Sequence, residues 1–279
     1  MDILPCTLYI VGTPIGNLGD FSPRAAEVLR GVDFIAAEDT RVTRKLLSHL
    51  DIHTPLVSYH EHNRAESGEK IAEKLLSGAS AALVTDAGMP AISDPGQELV
   101  KLCRERGIAV AAVPGPSAVT TALALSGMKA GRFCFEGFLS VNRRSRREHL
   151  EQLKRETRVM VFYEAPHKLL ATLKDFLAAF GDREITLARE LTKLHEEVIT
   201  TTLAAAAERY EDSAPRGEFV LVIGGAGASG EKPDGLAAAR KLIAEGMSLS
   251  RAARTAAEDS GANRAELYRQ LLEETGENT

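Results

Sequence analysis

Short runs of β-branched and aliphatic residues alternate with helix-period apolar stretches along the first part of the chain. Residues 8–11, 33–37, 56–59, 81–85 and 108–113 read as buried strands. Residues 22–30, 43–50, 65–76 and 95–106 carry apolar residues at helical spacing. Strand–helix alternation of this kind predicts βαβ units and a mainly parallel sheet. Two helix starts are marked by a capping residue before a proline, Ser22-Pro23 and Asp94-Pro95. The second also has Gln97 at capping-box spacing, so Asp94 is expected to be an N-cap.

The pattern changes after VPGPSA (113–118). Residues 133–138, 159–163, 184–188, 198–202 and 219–223 read as strands, with clear long helices only around 146–156 and 167–180. Strands outnumbering crossovers predict a mixed sheet. A Gly/Ala/Ser-rich stretch follows, and then a helical tail interrupted at Gly246 and Gly261, with Asn263 and Glu266 at capping-box spacing. Short helices joined by a three- or four-residue turn have helix-turn-helix spacing. The expectation is an α/β protein with an N-terminal domain over 1–116, a second domain over 117–226, a linker over 227–234 and a helical module over 235–279.

One connection is too long for a turn. After the strand at 81–85 the chain uses eleven residues, with two aspartates, two prolines and two glycines, before the next helix. Ordinary αβ connections take about two to six. The other predicted strand ends are similarly built: GTPIGN (12–17), AEDTR (37–41), SYHEHN (58–63) and VPGPSA. In open α/β sheets ligands bind outside the carboxyl ends of the strands, so these loops could line one cleft.

Composition narrows the ligand. Of 279 residues 44% are hydrophobic, aromatics are few, and tryptophan is absent, which argues against a stacking platform for single strands. A net charge of −5 argues against non-specific nucleic-acid binding by the whole surface, though not by a local patch. The three cysteines, Cys6, Cys103 and Cys134, are far apart, which makes a zinc site or disulfide framework improbable and fits a reducing cytoplasm. The first residues lack a basic flank, and their apolar run is too short for export or membrane spanning. There is neither a P-loop nor a GxGxxG fingerprint. Proline-stiffened loops suit main-chain recognition of a compact ligand.

The ordered motifs GTPIGNLGDFSPRA, AAEDTR, SYHEHN, TDAGMPAISDPG, VPGPSA, FYEAPHK, ARELTKLHEE and GEFVLVIGG cover nearly the whole chain. Together they resemble the tetrapyrrole methylase superfamily, and within it the branch that 2′-O-methylates a cytidine of 16S rRNA. The tail resembles that branch's helix-turn-helix module. The resemblance implies two α/β domains, S-adenosylmethionine (SAM) folded in the cleft between them, and a homodimer acting on the small ribosomal subunit. It assigns Pro14 and Ile15 to a first cofactor loop, Asp86, Ala87, Gly88 and Met89 to a second, and Ser117 and Ala118 to a third. Tyr163 and Ala188 close the pocket from the second domain. Tetrapyrrole-methylating relatives usually have Gly-Asp-Pro where this chain has Asp86-Ala87-Gly88, which displaces the aspartate by one position.

A 2′-hydroxyl is a poor nucleophile while protonated, so a proton acceptor would help by about 10²–10⁴-fold. Glu38, Asp39 and His60 are the candidates taken from the strand ends, with Glu61, His62, Glu164, Glu190 and His195 as alternatives. Arg41 could grip a phosphate bidentately. The segment NRRSRR (142–147) sets Arg143, Arg144, Arg146 and Arg147 at the start of a helix, and clustered arginines gain RNA affinity through counterion release. The tail adds Arg251, Arg254, Arg264 and Arg269 beside acidic residues, so it could equally pack or dimerise. Two rivals remain: a C-methylase of corrinoid or porphyrinogen rings, and a non-enzymatic nucleic-acid-binding regulator.

Overall fold

The computed structural model describes residues 2–213, 215–227, 235–244, 246–260 and 262–275. Strands β1 (Thr7–Val11), β2 (Phe34–Ala37), β3 (Leu56–Ser58), β4 (Ser80–Val84) and β5 (Ala109–Val113) form a wholly parallel sheet in the order β3-β2-β4-β1-β5. Successive side chains point to opposite faces, and both faces are covered. Leu8, Ile10, Phe34, Ala36 and Leu83 pack under helices α3 (Arg64–Leu76) and α4 (Gln97–Glu105). Tyr9, Val11, Ile35, Ala37 and Val84 pack under α1 (Pro23–Gly31), with Leu47 of α2 (Thr40–His49). Ser22 caps α1 as expected, its hydroxyl accepting from the Ala25 amide.

The second sheet has the order β6-β7-β10-β8-β9, from β6 (Phe133–Phe138), β7 (Val159–Glu164), β8 (Glu184–Arg189), β9 (Glu197–Thr202) and β10 (Phe219–Ile223). β6 and β7 are parallel and the remaining pairs antiparallel, which is the expected mixed sheet. Helices α6 (Arg143–Leu153), α7 (Leu169–Phe180) and α8 (Leu203–Arg209) lie on one face over Phe162, Leu187 and Leu221. Helix α5 (Ala118–Ser126) lies on the other, with Val119, Ala122 and Leu123 against Val161, Val220 and Val222. The periodicity of the sequence predicts neither α5 nor α8. The sequence AVTTALALS is apolar almost all round and shows no stripe, and α8 has only seven residues.

The tail forms α9 (Gly235–Ala244), α10 (Leu249–Ser260) and α11 (Arg264–Thr275), joined through Ala239, Ala253, Ala256, Leu267 and Leu271. Asn263 caps α11, its side-chain oxygen accepting from the Ala265 and Glu266 amides. Residues 228–234 of the expected linker, and the expected break at Gly261, lie outside the described residues. Among the described residues no helix is long and apolar enough to cross a membrane.

Candidate active site

The strand order sets β1 between β4 and β5, so three of the loops picked out by sequence leave the sheet side by side. They are tied together by their own backbones. The Thr13 and Gly88 amides each donate to the other's carbonyl, at 2.9 and 3.2 Å, and the Gly12 amide donates to the Val113 carbonyl at 3.1 Å. The Thr13 hydroxyl adds a buried bond to the Thr85 carbonyl at 3.1 Å. Gly12 and Gly115 touch backbone to backbone: a Cβ on Gly12 would lie 2.6 Å from the Gly115 Cα. Gly88 takes φ +88, open to glycine at no steric cost.

These loops face the second sheet across a cavity of about 480 Å³. Ile15, Ala87, Gly88, Met89, Ser117 and Ala118 line it from the first domain's loops, and Tyr163 and Ala188 from the second sheet. Tyr163, Val220 and Ala188 sit abreast on β7, β10 and β8, which makes Val220 part of the same wall. Pro14 and Asp86 belong to the same loops but are not lining residues. The Lys193 turn packs against Gly16 and reaches the cavity, held by Glu190 at 2.8 Å and Glu218 at 3.0 Å.

Asp94 is not a helix cap. Helix α4 begins at Gln97 with Gly96 as its N-cap, and the Gln97 side chain donates to the Ala91 carbonyl. Gly96 has φ +147, and a Cβ there would lie 2.8 Å from Leu83 and 2.9 Å from the Ala91 Cβ. Ala91 itself has φ +65. The loop therefore folds tightly over the end of β4, and Asp94 is carried into the cavity wall with Ile92 and Ser93. Capping spacing cannot reveal this fold-back, because the same residues suit either conformation.

The expected proton acceptors stand elsewhere. Asp39 caps α2 and accepts both Nε and Nη2 of Arg41, which holds its carboxyl down at about 2. Arg41 is thereby paired, although its side chain is 85% exposed. Glu38 accepts the Thr85 hydroxyl, and His60 donates its amide to Asn63. None of Glu38, Asp39 and His60 is among the lining residues. Glu164, another candidate, lines the cavity, but its oxygens are taken by the Ala165 amide and the Thr172 hydroxyl.

The four arginines divide. Asn142 caps α6, leaving Arg143, Arg144 and Arg147 exposed, with Arg144 bonded to Glu148 at 2.8 Å. Arg146 is mostly buried, bonded to Asp175 at 2.5 Å and to the Thr172 hydroxyl at 2.8 Å. Its role is to join α6 to α7, whereas sequence grouped it with the RNA contacts. Phe138, 61% exposed at the end of β6, also lines the cavity, against Tyr163 at 5.4 Å between ring centroids.

A cavity with apolar walls at Ile15, Met89, Tyr163 and Val220, charged groups at its edges and fixed main-chain groups suits a compact ligand with a flat ring and a charged arm. SAM has that chemistry, and the abutting Gly12–Gly115 pair leaves no side chain where the three loops converge on one another. The family described as tetrapyrrole (corrin/porphyrin) methylases matches residues 7–207, and the chain belongs to it. It is a SAM-dependent methyltransferase. A second family, the RsmI C-terminal HTH domain, matches residues 230–275.

Among curated proteins, the chain is 49% identical over 275 residues to ribosomal RNA small subunit methyltransferase I of Synechocystis sp., covering 95% of this chain and 97% of that one. It is 45% identical over 276 residues to the protein of the same name from Escherichia coli O157:H7, covering 96% of each. Among solved structures, cobalt precorrin-4 methyltransferase aligns with a TM-score of 0.59 at 17% identity, over 78% of this chain and 95% of that one. Diphthine synthase aligns with a TM-score of 0.59 at 14% identity, over 78% and 90%. These structural likenesses bear on the fold alone.

Proposed function

We propose that the chain 2′-O-methylates a cytidine ribose of 16S rRNA within the small ribosomal subunit, with SAM bound in the inter-domain cavity. The observation that carries the reading is the continuity of the cavity wall with an arginine-rich surface. β6 brings exposed Phe138 into the wall and runs on within five residues to Arg143. The similarity over nearly full length to rRNA small subunit methyltransferases supports the substrate class. The 2′-O-cytidine assignment rests on the motif resemblance described above.

In this reading Pro14, Ile15, Asp86, Ala87, Gly88, Met89, Ser117, Ala118, Tyr163 and Ala188 form the cofactor cradle. Bound SAM supplies a methyl group already activated by a sulfonium. The protein's part is to hold the ribose hydroxyl in line and at near-attack distance. Phe138 and Ile92, both exposed at the cavity, offer apolar faces to a splayed nucleotide. Arg143, Arg144 and Arg147 take phosphates. Arg41 can join them, because an exposed ion pair such as Arg41–Asp39 is screened by solvent and yields to a phosphate. The resemblance adds a homodimer, and the free cysteines support a reducing cytoplasm.

The test is nucleoside mass spectrometry of unmodified small subunits incubated with the protein and SAM. New 2′-O-methylcytidine is the expected product. SAM binding without any methylated nucleoside would refute the RNA reading.

A further inference from the structure

The end of β7 and the residues after it, Tyr163 to His167, all line the cavity. Tyr163 is fixed by the sheet, paired with Val220 on one side and Phe138 on the other. Glu164 is the last strand residue, and Ala165 leads into a single 3-10 turn, Pro166–Lys168, with His167 exposed. Such a short turn has poor hydrogen-bond geometry of its own, so its place depends on what anchors it.

The anchor is the Glu164 carboxylate, which is 5% exposed and makes no ion pair among the described residues. One oxygen accepts the Ala165 amide at 2.8 Å and ties the first step of the turn. The other accepts the hydroxyl of Thr172, itself buried on the first turn of α7. That hydroxyl accepts in turn from Nη2 of Arg146 at 2.8 Å, and Nε of the same guanidinium donates to Asp175 at 2.5 Å. A hydroxyl has one proton, so Arg146, by occupying a lone pair of the oxygen, leaves that proton directed at Glu164. The chain of guanidinium, hydroxyl and carboxylate is charged at both ends, and each bond polarises the next. A buried carboxylate is costly unless a cation balances it, and Arg146 supplies that balance one hydroxyl away.

Arg146 stands on α6 among Arg143, Arg144 and Arg147, all three exposed. We propose that Arg146 is a positioning residue: through Thr172 and Glu164 it locks the arginine-bearing helix to the turn at 165–168, so that RNA held on α6 meets the cavity in one fixed register. The inference rests on the 2′-O-methylation reading above. No bond is made or broken in this role. In-line transfer needs the ribose oxygen at near-attack distance from the methyl group, and a displacement of about 1 Å costs about 10²-fold. The exposed arginines grip phosphates, the turn bounds the cavity the sugar must enter, and a rigid link keeps the two in step.

Thr172→Val keeps the side chain's shape and removes the hydroxyl that carries the chain. With unmodified small subunits and SAM, kcat should fall about 10–100-fold, while KM for the subunit and the SAM dissociation constant, read by calorimetry, stay within about threefold. SAM affinity holds because Tyr163 and Ala188 keep their sheet partners. Thr172→Ser restores the hydroxyl and should restore kcat. Arg146→Lys keeps the charge but not the fork that serves Thr172 and Asp175 together, and should lose kcat to the same extent. The double variant Arg146→Lys with Thr172→Val should lose no more than either alone, because one chain is broken once. Leu153→Ala loosens α6 on its apolar side, two turns further along, and should keep its kcat when assayed equally far below its melt. Retained kcat in Thr172→Val or in Arg146→Lys would overturn the proposal. Equal loss of kcat in Leu153→Ala, or no recovery in Thr172→Ser, would overturn it as well. So would a fall in SAM affinity parallel to kcat, by making the turn part of the cofactor cradle. No methyl transfer by the unsubstituted protein would instead sink the substrate reading, so the two failures are told apart.

Discussion

Gly12→Ala tests whether the cavity depends on the meeting of the β1 and β5 loops. A methyl group at Gly12 would lie 2.6 Å from the Gly115 Cα, 2.8 Å from the Gly115 amide nitrogen and 2.7 Å from the Met89 sulfur. The Met89 thioether can swing aside. The Gly115 backbone cannot, because β5 is locked to β1 up to the pair Val11–Val113 and the Gly12 amide holds the Val113 carbonyl. Ordinary contact begins at 3.4 Å, so the β5 loop must recede by about 0.8 Å. That displacement passes directly to Ser117 and Ala118 on the cavity wall. Overpacking of this kind costs about 1–3 kcal/mol. If half or more of it falls on the binding-competent arrangement, the SAM dissociation constant rises about 2–150-fold. Calorimetric titration with SAM and a thermal melt read the two parts. Gly131→Ala, where an added Cβ meets nothing within 4 Å, is the control and should be silent in both. SAM affinity within twofold of the parent, with an unchanged melt, would refute the claim that this contact shapes the cradle.

Other consequences are checked more simply. Partial burial first, and then the neighbouring Glu38 charge, push the Asp94 carboxyl up to about 6, so the folded state holds its proton to higher pH than the unfolded chain. The stability it contributes is complete below about pH 4 and lost as pH rises through about 6. Asp94→Asn should therefore melt higher than the parent at pH 7.5, by about 1–2 kcal/mol once solvent screening is allowed for. The gap should close at pH 4, and a gap independent of pH would contradict the assignment. Arg146→Ala removes the Asp175 and Thr172 bonds of a mostly buried guanidinium and should lower stability by about 1–3 kcal/mol. A silent melt would show that α6 is held by its apolar side alone. Arg143→Ala combined with Arg144→Ala should leave the melt and SAM binding intact, weaken RNA binding, and flatten its salt dependence by about two phosphate contacts. Unchanged RNA affinity at moderate salt would count against the α6 surface.

The two kinds of sheet were legible because burial writes itself into the strand pattern. FIAA, SAALV and FVLVI have no polar alternation, since both faces are covered. The three loops that follow β1, β4 and β5 were legible as motifs because stiff backbones need particular residues, such as glycine at φ +88 in Gly88. Helix α5 was not, because apolar residues stand on its exposed face as well, Ala124 and Leu125 among them, and leave no amphipathic stripe to detect. Val220 was missed for a different reason. Its place beside Tyr163 and Ala188 comes from the register of β10 between β7 and β8, which joins segments distant along the chain.

Side-chain roles divide along the same line. Local chemistry already determined that Ser22 and Asn263 cap helices, because both partners of each bond lie within three residues. It could not separate Arg146 from Arg143, Arg144 and Arg147. Helical phase turns one of four adjacent arginines toward α7, and only the packing of α6 decides which one meets Asp175. Asp94 is the sharpest case. Its spacing to Pro95 and Gln97 is that of a cap, yet the close approach of Gly96 to Leu83 and Ala91 starts the helix later and leaves the carboxylate in the cavity. The sequence by itself determined which segments form strands, helices and stiff loops, because those choices rest on neighbours a few residues away. The tertiary structure decided which charges stand against one another, because desolvation and charge–charge repulsion act through space between chain segments that meet only once the sheets are assembled.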